Sequence, residues 1–163
     1  MSHKTQKIFF ICIIFILIAA LPACWPFGRR EKKIFYKDFV MINVLDEKLY
    51  NDCHIPGSIN VMVPDIEAFA QENIDKKAEI VFYCSNYMCS ASEFARKKLS
   101  KSGFENVFVY EGGMADWYQH GYTYVGKAES PYLQRKIPSP PERPIFDLTA
   151  QQLKEKIEIY KKL

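Results

Sequence analysis

Four short apolar runs constrain this chain more than any other feature. They are Phe39 to Val44, Ile59 to Val63, Glu79 to Tyr83 and Val107 to Tyr110. Runs of this length, apolar on both sides, are strands of a parallel sheet covered on both faces. Helical patterns lie between them. Ile66 to Asn73 puts Ile66, Phe69 and Ala70 at helical spacing. Ser90 to Ser102 carries Phe94, Ala95 and Leu99, and Gly103 is placed to stop it. Met114 to His120 is a third. Strand and helix in alternation imply βαβ units and an α/β fold.

Composition narrows the class further. A chain of 163 residues allows one ordinary domain. Hydrophobic residues at 48% and charged residues at 25% exclude a disordered chain, a coiled coil and a collagen-like repeat. The net charge of +3 is too small to indicate nucleic acid. The sequence has no internal repeat, no glycine-rich phosphate loop and no His-x-x-x-His pair. Cys84 and Cys89 have no matching second pair, so a zinc site is not expected, and neither is an organic cofactor. Five cysteines is an odd count, which excludes a fully paired disulfide framework.

The two ends differ from the body. Lys4 and Lys7 precede an apolar run of 14 residues, Ile8 to Leu21, followed by small residues. These are the parts of a secretory signal. Extended to Trp25 the run reaches 18 residues, close to the length of an uncleaved anchor. Leu21-Pro22-Ala23-Cys24 resembles the bacterial lipoprotein signal, in which the cysteine is lipidated, although Pro22 departs from it. The expectation is a signal or anchor over residues 1–23 and a basic linker over 24–33. The body is then attached to a membrane through its N-terminus, on the periplasmic side of a bacterial membrane. Arg29, Arg30, Lys32 and Lys33 point the other way, because basic residues beside a span favour retention inside. The domain itself is expected over 34–126. Pro131, Pro138, Pro140, Pro141 and Pro144 make 127–147 a stiff, extended linker. Residues 148–163 read as an amphipathic helix, with Thr149 and Gln152 as a capping box and Leu153, Ile157 and Tyr160 as its stripe. That helix either packs on its own domain or docks a partner.

One loop carries the chemistry. Cys84 directly follows the strand Ile80–Tyr83, and Ser90 then opens a helix, with Glu93 as a capping-box partner. Ligand sites in parallel sheets collect at the carboxyl ends of strands. A helix N-terminus offers free N–H donors and partial positive charge, which favour an anion and lower a thiol's pKa. Spacing alone leaves two readings of Cys84: a reactive thiolate, and an inert cysteine buried at a strand end.

Three motifs then resemble a family. His54-Ile55-Pro56-Gly57-Ser58-Ile59-Asn60 is similar to the histidine-isoleucine-proline-glycine signature of rhodanese-like domains. Val81-Phe82-Tyr83-Cys84 with its loop to Cys89, then Ser90, resembles their active-site loop. Glu111-Gly112-Gly113-Met114-Ala115-Asp116-Trp117 resembles their closing helix. The order and spacing match the family over about residues 34–126. The resemblance implies a sheet of about five parallel strands with helices on both faces. It also implies a cysteine, here Cys84, that carries a persulfide from a sulfur donor to an acceptor. The partners would be a small sulfur-containing anion and a thiol or protein acceptor. A ring of backbone N–H groups suits a persulfide anion without a metal.

The departures lie at the same site. An Asp and an Arg of the family's first strand are replaced by Asn43 and Leu45, and the glycine before the signature histidine is Cys53. The last loop position, basic in thiosulfate-using members, is Cys89, and residues 84–90 contain no basic side chain. An arginine there would clamp a dianionic donor. Ser85 and Asn86 are expected to offer side-chain donors to the bound anion. Tyr87 and Met88 are expected at the loop tip, facing an acceptor, with Ser90 completing the binding set. Cys89 either attacks a sulfur-loaded or oxidised Cys84 or only fills space at the helix start. Three functions remain open: a sulfurtransferase or persulfide carrier, a catalytically weak binding module, and a thiol–disulfide oxidoreductase using Cys84 and Cys89.

Overall fold

Four strands form one parallel sheet in the order β2-β1-β3-β4. They are β1 (Phe39–Asn43), β2 (Ile59–Asn60), β3 (Glu79–Tyr83) and β4 (Asn106–Tyr110). This computed structural model describes residues 34–162. The expectations for residues 1–33, including the signal or anchor and Cys24, lie outside the described residues. Among the described residues, no helix is long and apolar enough to cross a membrane.

Both faces of the sheet are buried, and the two-residue period of a strand sorts the side chains between them. Val40, Ile42, Ile80, Phe82, Val107 and Val109 face one side. There they meet α2 (Ile66–Asn73) and α3 (Ala91–Lys101) through Ile66, Ala70, Ala95 and Leu99. Met41, Val81, Tyr83 and Tyr110 face the other. That side is covered by α4 (Gly113–Gln119) and α5 (Ala150–Tyr160), through Met114, Trp117, Leu153 and Ile157.

The fold class is the expected α/β class, but the strand count differs. Four strands stand where about five were expected. The place beside β4 is held by one parallel bridge between Val109 and Asp147. Val109 donates to the Phe146 carbonyl and Leu148 donates to the Val109 carbonyl. Asp147 turns its side chain back to accept the Glu111 N–H and the Arg143 Nε, so the pairing ends after one residue. The second strand is also shorter than its apolar run. Asn60 spends its side-chain amide on the carbonyls of Asn43 and Leu45, beyond the ladder. A short helix, α1 (Glu47–Asp52), carried no apolar signal because none of its residues is buried. It forms on its cap, where Asp46 accepts the Leu49 N–H at 2.9 Å.

The proline-rich segment is more structured than an extended linker. Pro131–Gln134 makes one 3-10 turn with proline in its first turn, and Leu133 is fully buried beneath it. Leu133 shares the core with Met41, Val81 and Leu153, which is the packing that fixes the turn. Helix α5 starts with the expected capping box of Thr149 and Gln152. Its stripe lies on the sheet, and Phe39 stacks on Tyr160 with centroids 4.6 Å apart.

If α5 is part of the core, Leu153→Ala removes a fully buried side chain. The expected cost is about 2–5 kcal/mol. It should be read as a lower urea midpoint with an unchanged slope. An unchanged midpoint would show that the helix adds nothing to the domain.

Candidate functional site

The register levels the strand ends. Tyr83 pairs with Asn43 on one side and Tyr110 on the other, so the segments after β1, β3 and β4 emerge together. Tyr83 then fixes the histidine motif. Its hydroxyl accepts the Ile55 N–H at 3.1 Å and bonds the Ser58 hydroxyl at 2.7 Å. The motif is thus tied to the residue before Cys84. His54 is held away from the thiols: its Nδ1 meets the Tyr50 carbonyl at 2.8 Å and its ring stacks on Tyr50.

The next residue, Cys84, points to the opposite face, under the start of α3. It is fully buried. Its sulfur lies 3.2 Å from the Cys89 carbonyl and 3.4 Å from the Ser92 hydroxyl. Ser92 is itself fully buried in the first turn of α3, where it can donate both N–H and O–H to that sulfur. Sequence reasoning missed Ser92. The available signal was a small polar residue on the apolar face of the Phe94–Ala95–Leu99 helix.

The loop is closed from the other side by α4. The N–H groups of Met114 and Ala115 donate to the carbonyls of Cys84 and Ser85, both at 2.9 Å. This approach leaves no room for a side chain at Gly113. A Cβ there would stand 2.6 Å from the Cys84 carbonyl oxygen, and its φ of +62° favours glycine as well. Gly112 has φ −55°, so only the second glycine of the pair has the unusual angle.

The expected site residues separate on inspection. Met88 is at the tip and 70% exposed, facing outward as expected. Tyr87 is not free at the tip. Its hydroxyl bonds Ser139, and the Arg143 guanidinium lies 5.7 Å from its ring centroid. Asn86 turns inward: its Oδ1 accepts the Met88 N–H and its carbonyl accepts the Cys89 N–H. Ser90 is exposed and makes no side-chain cap bond, because its backbone is already helical (φ −84°, ψ 0°) instead of extended, and the Glu93 side chain pairs with Arg96 at 2.7 Å and with Lys97. The cation that residues 84–90 lack comes from elsewhere. Arg135 lines a shallow cleft with Asn86, Tyr87, Asp116 and Gln119, and Arg143 stands over Tyr87. Both lie in the segment expected to be a linker.

The two thiols of the loop form a pair. The Cys84 sulfur lies 3.2 Å from the Cys89 carbonyl, and each thiol shifts the protonation of the other. Cys84 is held protonated, first by the Cys89 thiol and then by burial. Cys89 is pulled down to about 5, first by the Cys84 thiol. The N–H groups of Ala91 and Ser85 and the Ser85 hydroxyl add to this, against partial burial. Cys89, at the start of α3, is therefore the more easily ionised of the two thiols. Cys53 is a different case. It packs in the core on the opposite face, and burial followed by the Asp52 charge pushes its thiol up to about 11.

The sheet, the motif turn tied to Tyr83 and the cysteine loop over a helix start together define a rhodanese-like domain. A family model described as a rhodanese-like domain matches residues 31–120. This chain belongs to that family. It is 33% identical over 96 residues to a thiosulfate:glutathione sulfurtransferase of Saccharomyces cerevisiae, covering 50% of this chain and 66% of the relative. It is 31% identical over 81 residues to a thiosulfate sulfurtransferase of Pseudoalteromonas translucida, covering 50% and 74%. A rhodanese-type domain from Anabaena sp., solved by crystallography, superposes with a TM-score of 0.50 at 28% identity, over 55% of this chain and 93% of that one. The chain spans 66% of the yeast relative's length and 41% of a Bacillus subtilis relative matched at 32% identity.

With the charge on Cys89, alkylation of the loop by iodoacetamide should fall on Cys89 and rise as pH climbs through about 5. Cys84→Ala removes the first cause of the shift, so the midpoint should move up. A midpoint that stays put would show that the two thiols do not share the proton.

Proposed function

We propose that this chain is a rhodanese-like sulfurtransferase or persulfide carrier in which Cys84 accepts the sulfur. The observation that carries this reading is the position of Cys84: at the end of β3, in a loop folded around its sulfur, which lies 3.2 Å from the Cys89 carbonyl and 3.4 Å from the Ser92 hydroxyl.

The transfer then balances as follows. The Cys84 sulfur attacks the outer sulfur of a donor such as thiosulfate. Its proton passes to Cys89, a sulfur–sulfur bond forms, and sulfite leaves with the electron pair of the broken bond. A thiol acceptor then attacks the outer sulfur of the Cys84 persulfide and regenerates Cys84. Thiosulfate is the donor named for two relatives, and glutathione is the thiol named for one of them. In this reading the backbone of 85–90 surrounds the reacting sulfur. Ser85 donates its hydroxyl, and Asn86 holds the loop's shape. Tyr87 and Met88 face the acceptor, with Ser90 at the helix start beside them. Arg135 supplies a positive charge beside the loop tip, while Arg143 is neutralised by its ion pair with Asp147.

The domain plan belongs to the same proposal. Residues 1–23 act as signal or anchor, and 24–33 as a basic linker to the rhodanese-like body. This places the chemistry at a membrane face outside the cytoplasm. Lipid attachment at Cys24 predicts that radiolabelled palmitate enters the full chain expressed in bacteria and that Cys24→Ser abolishes the label. Equal labelling of the two proteins would remove lipidation from the plan.

The central test is mass spectrometry of the reduced full-length chain after exposure to thiosulfate or a small persulfide. Because wild type has a second thiol within reach of the first, the informative variant is Cys89→Ser. With buffer taking the Cys84 proton in place of Cys89, it should gain about 32 Da, the mass of one sulfur, at a lower rate, and should lose that gain when Cys84→Ser is added. No gain with any donor favours a binding module, a reading that the absence of a cation on residues 84–90 also supports.

A further inference from the structure

The rhodanese chemistry above uses one cysteine, and the loop holds two. Cys89 stands where a basic side chain would hold a donor anion. Its sulfur takes the Ser85 and Ala91 N–H groups, which otherwise face the interior of the loop. The Cys89 N–H bonds the Asn86 carbonyl at 2.9 Å, a turn that folds the loop back on itself. The two cysteines end with the Cys84 sulfur 3.2 Å from the Cys89 carbonyl. A disulfide needs sulfurs about 2 Å apart, and the contact of the Cys84 sulfur with the Cys89 backbone brings the two residues together on one loop. Cys84 is fully buried, while Cys89 is partly exposed. Any disulfide between them would therefore have one sulfur open to an outside reductant. Cys53 cannot compete, because it lies in the core on the other face of the sheet.

We propose that Cys89 is a resolving thiol: it attacks the inner sulfur of the Cys84 persulfide, forms a Cys84–Cys89 disulfide and releases hydrosulfide. This rests on the reading of Cys84 as the sulfur acceptor.

The step balances within the loop. Loading leaves Cys84 as a persulfide anion and Cys89 as a thiol carrying the proton it received. The Cys89 sulfur forms a bond to the Cys84 sulfur, and the bond from Cys84 to the outer sulfur breaks. The outer sulfur leaves with that electron pair and takes the Cys89 proton, giving hydrosulfide. The outer sulfur is reduced, and the two cysteines are oxidised together. No metal or external oxidant enters the step. A dithiol or two small thiols then reduce the disulfide through the exposed Cys89 sulfur. The activity added is sulfide release from a sulfane-sulfur donor in one turnover, with no acceptor thiol present.

The test uses the reduced full-length chain, freed of reductant, with one equivalent of thiosulfate and, in a parallel arm, of cysteine persulfide. Wild type should release about one equivalent of hydrosulfide and end about 2 Da lighter than the reduced chain. Cys89→Ser, in which buffer must take the Cys84 proton, should load more slowly, keep a gain of about 32 Da and release none. Cys84→Ser should do neither. Wild type that keeps the added sulfur and releases nothing overturns the proposal and leaves the sulfur-acceptor reading standing. A gain that persists in Cys84→Ser places the sulfur on another cysteine and overturns both. A third arm uses mild peroxide, which oxidises a thiol and lets its neighbour close the disulfide with loss of water. It tests the pair without any sulfur donor. Loss of about 2 Da in wild type but not in Cys89→Ser supports the pair, and no loss in wild type overturns it.

Discussion

The burial of β3 on both sides governs the rest of the molecule. Its successive residues point to opposite faces, so Tyr83 and Cys84 are neighbours in sequence and belong to different cores. Tyr83 goes to the side of α4 and α5, where its hydroxyl ties the histidine motif. Cys84 goes to the side of α3, under Ser92. One pleat thus assigns structural work to one residue and chemical work to the next. Sliding β3 by one residue against its neighbours would exchange them.

The same pleat explains why much of the fold is legible in the sequence. Runs such as Ile80–Tyr83 are apolar at every position because both faces are covered, and no other arrangement of a short strand favours that pattern. The helices over Ile66–Asn73 and Ala91–Lys101 have stripes that meet the sheet, so their spacing shows. Helix α1 has no buried residue and left no pattern to find. The proline-rich segment was misread for the opposite reason. Its prolines do exclude a long helix or a strand, but one buried leucine, Leu133, is enough to dock a single turn.

The site was legible in its parts and less so in its wiring. The strand end, the loop and the helix start follow from local sequence. What the sequence could not state is which polar group turns inward. Asn86 satisfies its own loop instead of facing an anion. Ser90 makes no cap because its backbone is already helical, and the Glu93 carboxylate goes to Arg96 and Lys97. Arg143 reaches Tyr87 from more than fifty residues away. Each outcome depends on a competitor brought in by tertiary packing.

The single bridge between Val109 and Asp147 has a consequence in time. Until that bridge forms, β4 is an open strand edge with unpaired N–H and carbonyl groups, a template on which another chain can pair. The same stretch of chain carries Leu153 and Ile157, which cover the second face. Both protections come from residues beyond Arg143, the last part of the domain to leave the ribosome. A nascent chain therefore carries a half-clad sheet until α5 has been translated. For this domain, the interval between translating β4 and translating α5 is when a chaperone has most to protect.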